Sequence, residues 1–239
     1  MIADIAPSAR VVLLDIEGTT TPISFVHDTL FPFARARLDA FLAERWEAPE
    51  VQAAVSTLAA ERPRESFPDQ SSEMTPEVVS GFVRWLMDRD RKSPGLKDLQ
   101  GLIWEDGYNA GLLHGAVWED VPRAIGRWRA SGLRVAIYSS GSELAQRLLF
   151  RSTPYGDLTT DIDAFFDTRM GGKLMAESYV RIARALSTSP AGVCFVSDVT
   201  GELKAARAAG CVTVLSLRSG NASQPEVDEF PQVTTFDDL

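Results

Sequence analysis

The chain has 239 residues, of which 45% are hydrophobic and 24% charged, a composition that suits a packed core with an ordinary charged surface. Its formal net charge of −9 argues against a nucleic acid or an anionic membrane as a partner, because both are polyanions, but not against a small phosphorylated substrate. The sequence has no basic stretch leading into an apolar signal region and no apolar run of membrane-spanning length. We therefore expect a soluble cytoplasmic protein.

Four short runs of aliphatic and β-branched residues are predicted to be strands of one sheet. They cover residues 10–14, 134–138, 192–197 and 212–217. Their apolar residues are nearly continuous, as expected for parallel strands covered on both faces. Helical patterns at 143–150, 176–186 and 201–209 alternate with the later strands, which predicts a doubly wound, Rossmann-like α/β core. The two cysteines, Cys194 and Cys211, lie in apolar runs and are expected to be buried, reduced thiols.

About 120 residues separate the first predicted strand from the second, and most of them have helical character. The predicted helices cover 25–46 and 49–61, and two more begin where a capping hydroxyl precedes a proline, at Thr75-Pro76 and Ser93-Pro94. We therefore predict a core of residues 1–21 and 119–239 and an inserted helical domain of residues 22–118. Residues 62–72 are predicted to be a loop, and the polar tail after Asn221 is expected to pack loosely.

Polar side chains follow three of the four predicted strands. Asp15 follows the first strand, Ser139 and Ser140 follow the second, and Asp198 follows the third. Ligands of open α/β sheets bind beyond the carboxyl ends of the strands, and parallel strands bring those ends to one edge. These residues are therefore expected to form one site, although the two aspartates are more than 180 positions apart.

Two carboxyl groups close in sequence predict covalent phosphate chemistry. Asp15 and Glu17 can face the same cleft, with one ionised as a nucleophile and the other protonated as an acid. Asp15 would form an acyl phosphate, which divides a difficult hydrolysis into two easier displacements. Glu17 would protonate the departing alkoxide and then deprotonate the attacking water.

The other residues supply charge and hydrogen bonds. Asp15 and Asp198 are oxygen donors suited to Mg²⁺, and Glu202, one helical turn further, can orient a metal ligand or a cation. Lys173 supplies positive charge, and Ser139 can donate to a phosphate oxygen. Each residue alone also fits an ordinary structural role, such as a turn, a helix cap or a solvated charge. Their joint occurrence at the predicted strand ends favours a phosphatase that acts on a small phosphate ester.

Longer motifs surround these residues. They are Asp15-Ile16-Glu17-Gly18-Thr19-Thr20, Tyr138-Ser139-Ser140-Gly141-Ser142, Gly172-Lys173, Asp198-Val199-Thr200 and Arg218-Ser219-Gly220-Asn221. Together they resemble the haloacid dehalogenase-like phosphatases. Most members of that superfamily carry aspartate where this chain has Glu17, and glutamate there resembles the enolase-phosphatase subgroup of methionine salvage.

The resemblance implies a Rossmann-like core with a helical cap domain and a reaction on 2,3-diketo-5-methylthiopentyl-1-phosphate. The diketone would be enolised and the phosphate then hydrolysed to give acireductone, with Mg²⁺ and no organic cofactor, in a monomer. The implied metal ligands are the Asp15 and Asp198 side chains and the Glu17 main-chain carbonyl, and the implied substrate-binding residues are Ser139, Ser140 and Lys173. The base for enolisation stays open, with Glu17 as the first candidate and a residue of the helical domain as another.

There are three alternatives to this hypothesis. A phosphatase of the same fold could act on another small ester, such as a sugar phosphate. A non-catalytic binding module predicts the loss of a nucleophile or metal carboxylate, whereas Asp15, Glu17, Lys173 and Asp198 are all present. A haloalkanoic acid dehalogenase needs no Mg²⁺, so Asp198 and Glu202 together weigh against it.

Overall fold

One sheet of six parallel strands forms the centre of the core in the computed structural model, which describes residues 5–69, 71, 73–91 and 93–239. The strands are β1 (Val11–Leu14), β2 (Arg134–Tyr138), β3 (Ala164–Phe166), β4 (Val193–Ser197), β5 (Val212–Ser216) and β6 (Gln232–Val233). They are ordered β3-β2-β1-β4-β5-β6, so β1 lies between β2 and β4. The strand order reverses between β1 and β4, and open α/β sheets bind ligands at such a switch point.

The helices follow the predicted pattern closely. They are α1 (Ile23–Phe25), α2 (Phe31–Arg45), α3 (Pro49–Glu61), α4 (Pro76–Met87), α5 (Pro94–Asn109), α6 (Asp120–Ala130), α7 (Glu143–Arg151), α8 (Ala176–Ala185) and α9 (Thr200–Ala208). A π-helical segment, Val26–Leu30, joins α1 to α2. The predicted continuous helix over 25–46 is therefore interrupted at its start, while the helix predicted over 49–61 is confirmed.

Both faces of the sheet are covered, which explains the continuous apolar runs. Along β1, Val12 and Leu14 belong to one hydrophobic cluster, and Val11 and Leu13 belong to another. The first cluster includes Trp128 of α6, and the second includes residues of α8 and α9. Because successive side chains of a strand point to opposite faces, β1 has no solvent-facing side and every position in it is apolar. The doubly wound α/β core is confirmed.

The described chain divides into two compact units. One unit comprises Met1–Val26 and His114–Leu239, and the other comprises His27–Leu113. The boundaries predicted from the sequence lie five residues earlier, after Thr21, and five residues later, after Trp118, and the division at those residues stays a prediction. Residues 1–4, 70, 72 and 92, which include parts of the predicted core and of the predicted loop at 62–72, lie outside the described residues.

Within the helical unit, two helices begin with the predicted caps. The Thr75 hydroxyl accepts a hydrogen bond from the Val78 N–H at 3.4 Å, and the Ser93 hydroxyl accepts one from the Leu96 N–H at 3.0 Å. Proline follows each cap at the first helical position, where a missing N–H costs nothing. The two helix starts predicted from Thr75-Pro76 and Ser93-Pro94 are therefore confirmed.

The C-terminal tail corrects one expectation. The tail does not pack loosely, because it adds strand β6 to the sheet and buries four apolar side chains. These are Phe230, Val233, Phe236 and Leu239. The tail was expected to pack loosely because its composition is polar overall. Its buried apolar residues are nevertheless regularly spaced, at every third position.

The two cysteines are buried and free, as expected. Burial raises the pKa of each thiol to about 12, so both remain protonated at neutral pH. Among the described residues, no helix has the length and apolar character needed to cross a bilayer.

Candidate active site

Asp15 is the first residue after β1, at the carboxyl edge of the sheet. Its N–H donates to the Val196 carbonyl of β4 at 3.0 Å, which continues the ladder between the two strands by one residue. Its Oδ1 accepts the Ile16 N–H at 2.7 Å, so the main chain fixes the orientation of the carboxylate. The residue is only 4% exposed. A carboxylate is thus held, almost fully buried, at the topological switch point.

Lys173 joins two carboxylates. Its Nζ lies 2.6 Å from Asp15 Oδ1 and 2.6 Å from Glu202 Oε2, and its side chain is 9% exposed. The Ser197 hydroxyl lies 3.2 Å from Asp15 Oδ2 and 3.0 Å from Glu202 Oε2, so its single proton can serve either acid. The structure therefore brings together three of the predicted site residues, Asp15, Lys173 and Glu202. Ser197, which the sequence analysis did not select, is a fourth member.

Three hydroxyl groups hold the loop that carries Lys173. Tyr138 donates to the Gly171 carbonyl at 2.8 Å, Ser178 donates to the Gly172 carbonyl at 2.8 Å, and Tyr179 donates to the Lys173 carbonyl at 2.7 Å. Sequence reasoning assigned these hydroxyls no role, although Tyr138 itself belongs to one of the quoted motifs. Because three consecutive carbonyls are fixed, the lysine enters the cluster from a rigid loop.

Asp198 lies against the turn that follows β1. A Cβ built on Gly18 would stand 2.4 Å from Asp198 Oδ2, and Gly18 has a φ of +68°. Only glycine suits both constraints, because another residue would be strained there and would displace the carboxylate. Glu17, half-buried and one residue earlier, forms a bridge with Thr21 across the same turn. The turn thus places Glu17 and Gly18 next to the second predicted metal ligand.

The two predicted substrate serines differ in burial. Ser139 follows β2 and is buried; its N–H donates to the Phe166 carbonyl at 3.1 Å and its hydroxyl accepts the Gly141 N–H at 3.2 Å. Ser140 is exposed. Gln146, which sequence reasoning missed, donates to the Gly141 and Phe166 carbonyls at 2.9 Å each and so fastens this loop to the end of β3. Both serines lie at the carboxyl edge of the sheet, directly after β2, the strand beside β1.

The cluster carries more negative than positive charge. Burial raises the pKa of Asp198 to about 7, and the negative charges of Asp15 and Glu202 add to that effect. Burial and the charge of Asp15 likewise raise the pKa of Glu202 to about 7. Burial alone would lower the pKa of Lys173, but the neighbouring carboxylates outweigh it and raise that pKa above its ordinary value. With the three acids ionised and one lysine protonated, the cluster has two uncompensated negative charges.

This donor set fits a divalent oxygen-binding cation such as Mg²⁺. Two uncompensated charges and exclusively oxygen donors match its chemistry. Among the described residues, no three side chains of the His, Cys, Asp and Glu types form a metal-binding group. A site on this edge would therefore use the Asp15 and Asp198 carboxylates together with main-chain oxygen and water. The Gly18 N–H donates to the Thr21 carbonyl at 2.9 Å, which directs the Glu17 carbonyl the opposite way because a trans peptide is planar.

The raised pKa values predict a pH dependence of stability for the metal-free protein. Between the ordinary values, 3.8 for Asp198 and 4.5 for Glu202, and the folded values of about 7, the folded protein binds protons that the unfolded chain has released. Stability is therefore lost as the pH rises through 7. We expect the melting temperature in EDTA to fall by at least about 5 °C between pH 5.5 and pH 7.5. Calorimetry of wild type and Asp198→Asn tests this, because the variant should show a shallower decline; equal slopes would contradict it.

Comparison with known proteins gives consistent matches over nearly the whole chain. Residues 9–210 match the model of the haloacid dehalogenase-like hydrolase family. A Synechococcus elongatus protein named Enolase-phosphatase E1 is 48% identical over 235 residues, covering 97% of this chain and 98% of its own. A Drosophila grimshawi protein of the same name is 46% identical over 241 residues, covering 98% of each chain.

Solved structures share the fold. The Unknown transcript 4 protein of Saccharomyces cerevisiae superposes with a TM-score of 0.78 at 33% identity, covering 97% of this chain and 100% of that one. CbbY of Rhodobacter sphaeroides, in complex with phosphate, superposes with a TM-score of 0.58 at 16% identity, covering 97% and 96% of the two chains. The second likeness concerns the fold alone.

Proposed function

This chain belongs to the haloacid dehalogenase-like hydrolases and, among them, to the enolase-phosphatases, and from that premise we propose how its own residues act. The protein is the phosphatase of methionine salvage that converts 2,3-diketo-5-methylthiopentyl-1-phosphate into acireductone and phosphate. The observation that carries our site assignment is the buried Lys173 ammonium, which contacts both Asp15 and Glu202 at 2.6 Å.

Asp15 is the proposed nucleophile. One of its carboxylate oxygens forms a bond to phosphorus while the ester P–O bond breaks, and Glu17 gives its proton to the departing oxygen. Glu17 then takes a proton from water, whose oxygen attacks phosphorus, releases phosphate and restores the Asp15 carboxylate. The hydrogen bond from the Ile16 N–H and the contact with Lys173 support this role, because they fix the carboxylate in one orientation.

Charge on the phosphate is the main barrier to this attack. Lys173 offsets part of it, and the Ser139 and Ser140 loop supplies hydrogen-bond donors. The proposed residues for Mg²⁺ are Asp15, Asp198 and the Glu17 carbonyl, with Glu202 orienting Lys173 between the two acids. When bound, the metal ion would supply positive charge for the phosphate oxygens and polarise the substrate carbonyl.

Enolisation requires a base that removes a carbon-bound proton beside the diketone. Glu17 is our first candidate, because it is half-buried and stands two residues after the nucleophile on the turn next to Asp198. The same carboxyl can carry the proton to the departing oxygen in the following step, so that one group would serve both halves of the reaction.

A continuous spectrophotometric assay tests the function. With the diketo phosphate we expect an enol absorbance change that precedes phosphate release, and with a panel of sugar phosphates we expect much slower turnover. Preferred hydrolysis of a sugar phosphate, without a preceding enol signal, would overturn this proposal in favour of another small-molecule phosphatase.

Metal removal tests the second half of the proposal. We expect EDTA to stop phosphate release, and excess Mg²⁺ to restore it, because the carboxyl groups of the cluster outnumber its one lysine and oppose a phosphate dianion. Turnover that is indifferent to chelation would remove the metal role of Asp198. A monomeric state and a cytoplasmic location, which the sequence and its resemblance favour, remain parts of the proposal.

A further inference from the structure

Three side chains at and after the end of β5 donate hydrogen bonds to the turn that follows β1. Asn221 Nδ2 lies 2.9 Å from the Gly18 carbonyl oxygen, and the Ser216 hydroxyl lies 3.4 Å from the same oxygen. Arg218 Nε lies 3.1 Å from the carbonyl oxygen of the next residue, Thr19. Two consecutive carbonyls of the turn are therefore held from the β5 side.

Arg218 is itself held in place by several contacts. The residue is 8% exposed, and its Nη1 lies 2.7 Å from Asp120 Oδ2 and 3.1 Å from the Thr234 carbonyl oxygen. Its guanidinium also lies over the rings of Trp118 and Phe236, at 5.6 and 4.5 Å from their centroids. A guanidinium bound on this many sides cannot swing, so the Thr19 carbonyl has one rigid partner.

Asn221 stands at a particular place in this arrangement. A Cβ built on Gly18 would lie 2.9 Å from Asn221 Oδ1 and 2.4 Å from Asp198 Oδ2. Asn221 Oδ1 is buried and has no hydrogen-bond partner among the described residues. The amide group of Asn221 thus holds Gly18 with its nitrogen and presents its oxygen on the side where Asp198 lies.

The turn has little freedom once these bonds are made. The Gly18 N–H is bound to the Thr21 carbonyl on one side of the residue, and the Gly18 carbonyl is bound to Asn221 on the other. Because each peptide unit is planar, these two bonds fix the orientation of both units that meet at Gly18. The Glu17 carbonyl belongs to the first of those units, which the Thr21 carbonyl holds, and Asn221 holds the second unit, which meets the first at Gly18.

We propose that Asn221, supported by Arg218, is a positioning residue for the divalent cation, because it holds the Gly18 carbonyl in the turn that carries the Glu17 carbonyl and lies on the side of Gly18 where Asp198 lies. This inference rests on the proposed function, which places a metal ion between those groups. Partners that orient metal ligands typically change metal affinity by about 10–100-fold when they are removed.

Isothermal titration of the metal-free protein with Mg²⁺ tests the inference without relying on turnover. We expect Asn221→Ala to raise the dissociation constant about tenfold. Ser216→Ala should raise it less, because that donor is further from the same carbonyl, at 3.4 Å. Gln232→Ala is the matched control. The Gln232 side-chain amide also donates to a main-chain carbonyl, that of Val227 at 3.0 Å, but away from this turn. The Mg²⁺ affinity of this variant should equal that of the wild type.

Kinetics provide a second readout. In Asn221→Ala, saturating Mg²⁺ should restore kcat, while the Mg²⁺ concentration for half-maximal rate rises with the dissociation constant. An unchanged Mg²⁺ affinity in a variant with a lowered melting temperature would overturn the inference and leave Asn221 with a purely structural role. If Asn221→Ala does not fold, Ser216→Ala decides, and an unchanged affinity there would overturn it. Failure of the wild type to bind Mg²⁺ would instead overturn the metal part of the proposed function, and this inference with it.

Discussion

Asp15→Asn is expected to lower phosphate release by about a thousandfold or more, because the amide keeps the shape of the side chain but is not a nucleophile. The fold should survive, because the asparagine oxygen can still accept a hydrogen bond from the Ile16 N–H. In the wild type this N–H lies 2.7 Å from Asp15 Oδ1. Phosphate release in single-turnover experiments measures the effect. Acid-quenched wild type should also yield a phosphorylated peptide around residue 15, and the variant should yield none.

A second strand-end aspartate provides the control. Asp167 follows β3 and is buried, but its carboxylate accepts hydrogen bonds from the Arg169 N–H and guanidinium at 2.8 and 2.9 Å. Asp167→Asn should therefore keep turnover within about tenfold, since the loss of such bonds acts on the local loop alone. Normal phosphate release from Asp15→Asn would exclude covalent catalysis by Asp15, whatever the control does.

Lys173→Met should lower kcat/KM by about 10²–10³-fold, the usual loss when a group that stabilises charge in the transition state is removed.

Lys173→Met should also destabilise the metal-free protein. Removing one partner of a buried ion pair costs about 3–5 kcal/mol, because the remaining charge is left uncompensated. Burial raises the pKa of Asp198 and Glu202 to about 7, so both acids are mainly ionised at pH 8 and mainly protonated at pH 6. The loss of stability should therefore be larger at pH 8 than at pH 6.

Chemical denaturation at the two pH values measures this difference. Lys204→Met is the matched control, because Lys204 is a lysine paired with a single glutamate, Glu226, in a more exposed setting of the same unit. An exposed pair contributes about 0–1 kcal/mol, so the control should show a small loss of stability. Equal losses at pH 6 and pH 8 in Lys173→Met would contradict the assignment of the raised pKa values to this cluster.

The core could be predicted from the sequence where strands have both faces covered. Val11–Leu14 and Val193–Ser197 are buried at every position, and continuous burial produces a continuous apolar run that is easily recognised. Strands Ala164–Phe166 and Gln232–Val233 were missed because three and two residues are too short to show a periodicity. They exist because a neighbouring strand offers free hydrogen-bonding groups, which is a tertiary effect.

In the site, too, residues placed by the strands could be predicted from the sequence, whereas contacts that depend on the folded loops could not. Asp15 and Asp198 could be placed together because both directly follow strands of a parallel sheet. Ser197 carried a signal that was overlooked, since it is the last residue of the third predicted strand and directly precedes Asp198. The hydroxyls that hold the Lys173 loop, such as that of Tyr179, could not be predicted. Their partners are main-chain carbonyls whose positions depend on how the loops fold.

The position of β1 in the middle of the sheet has a consequence for biosynthesis. β1 leaves the ribosome first, yet both of its neighbours, Arg134–Tyr138 and Val193–Ser197, are synthesised much later. Until then four consecutive aliphatic residues, Val11–Leu14, have no strand to pair with, and an unpaired apolar strand is prone to aggregate. Pairings this distant in sequence also form slowly, because long loops must close before any contact is gained. Val11–Leu14 is therefore the strand segment of the core that waits longest for a partner.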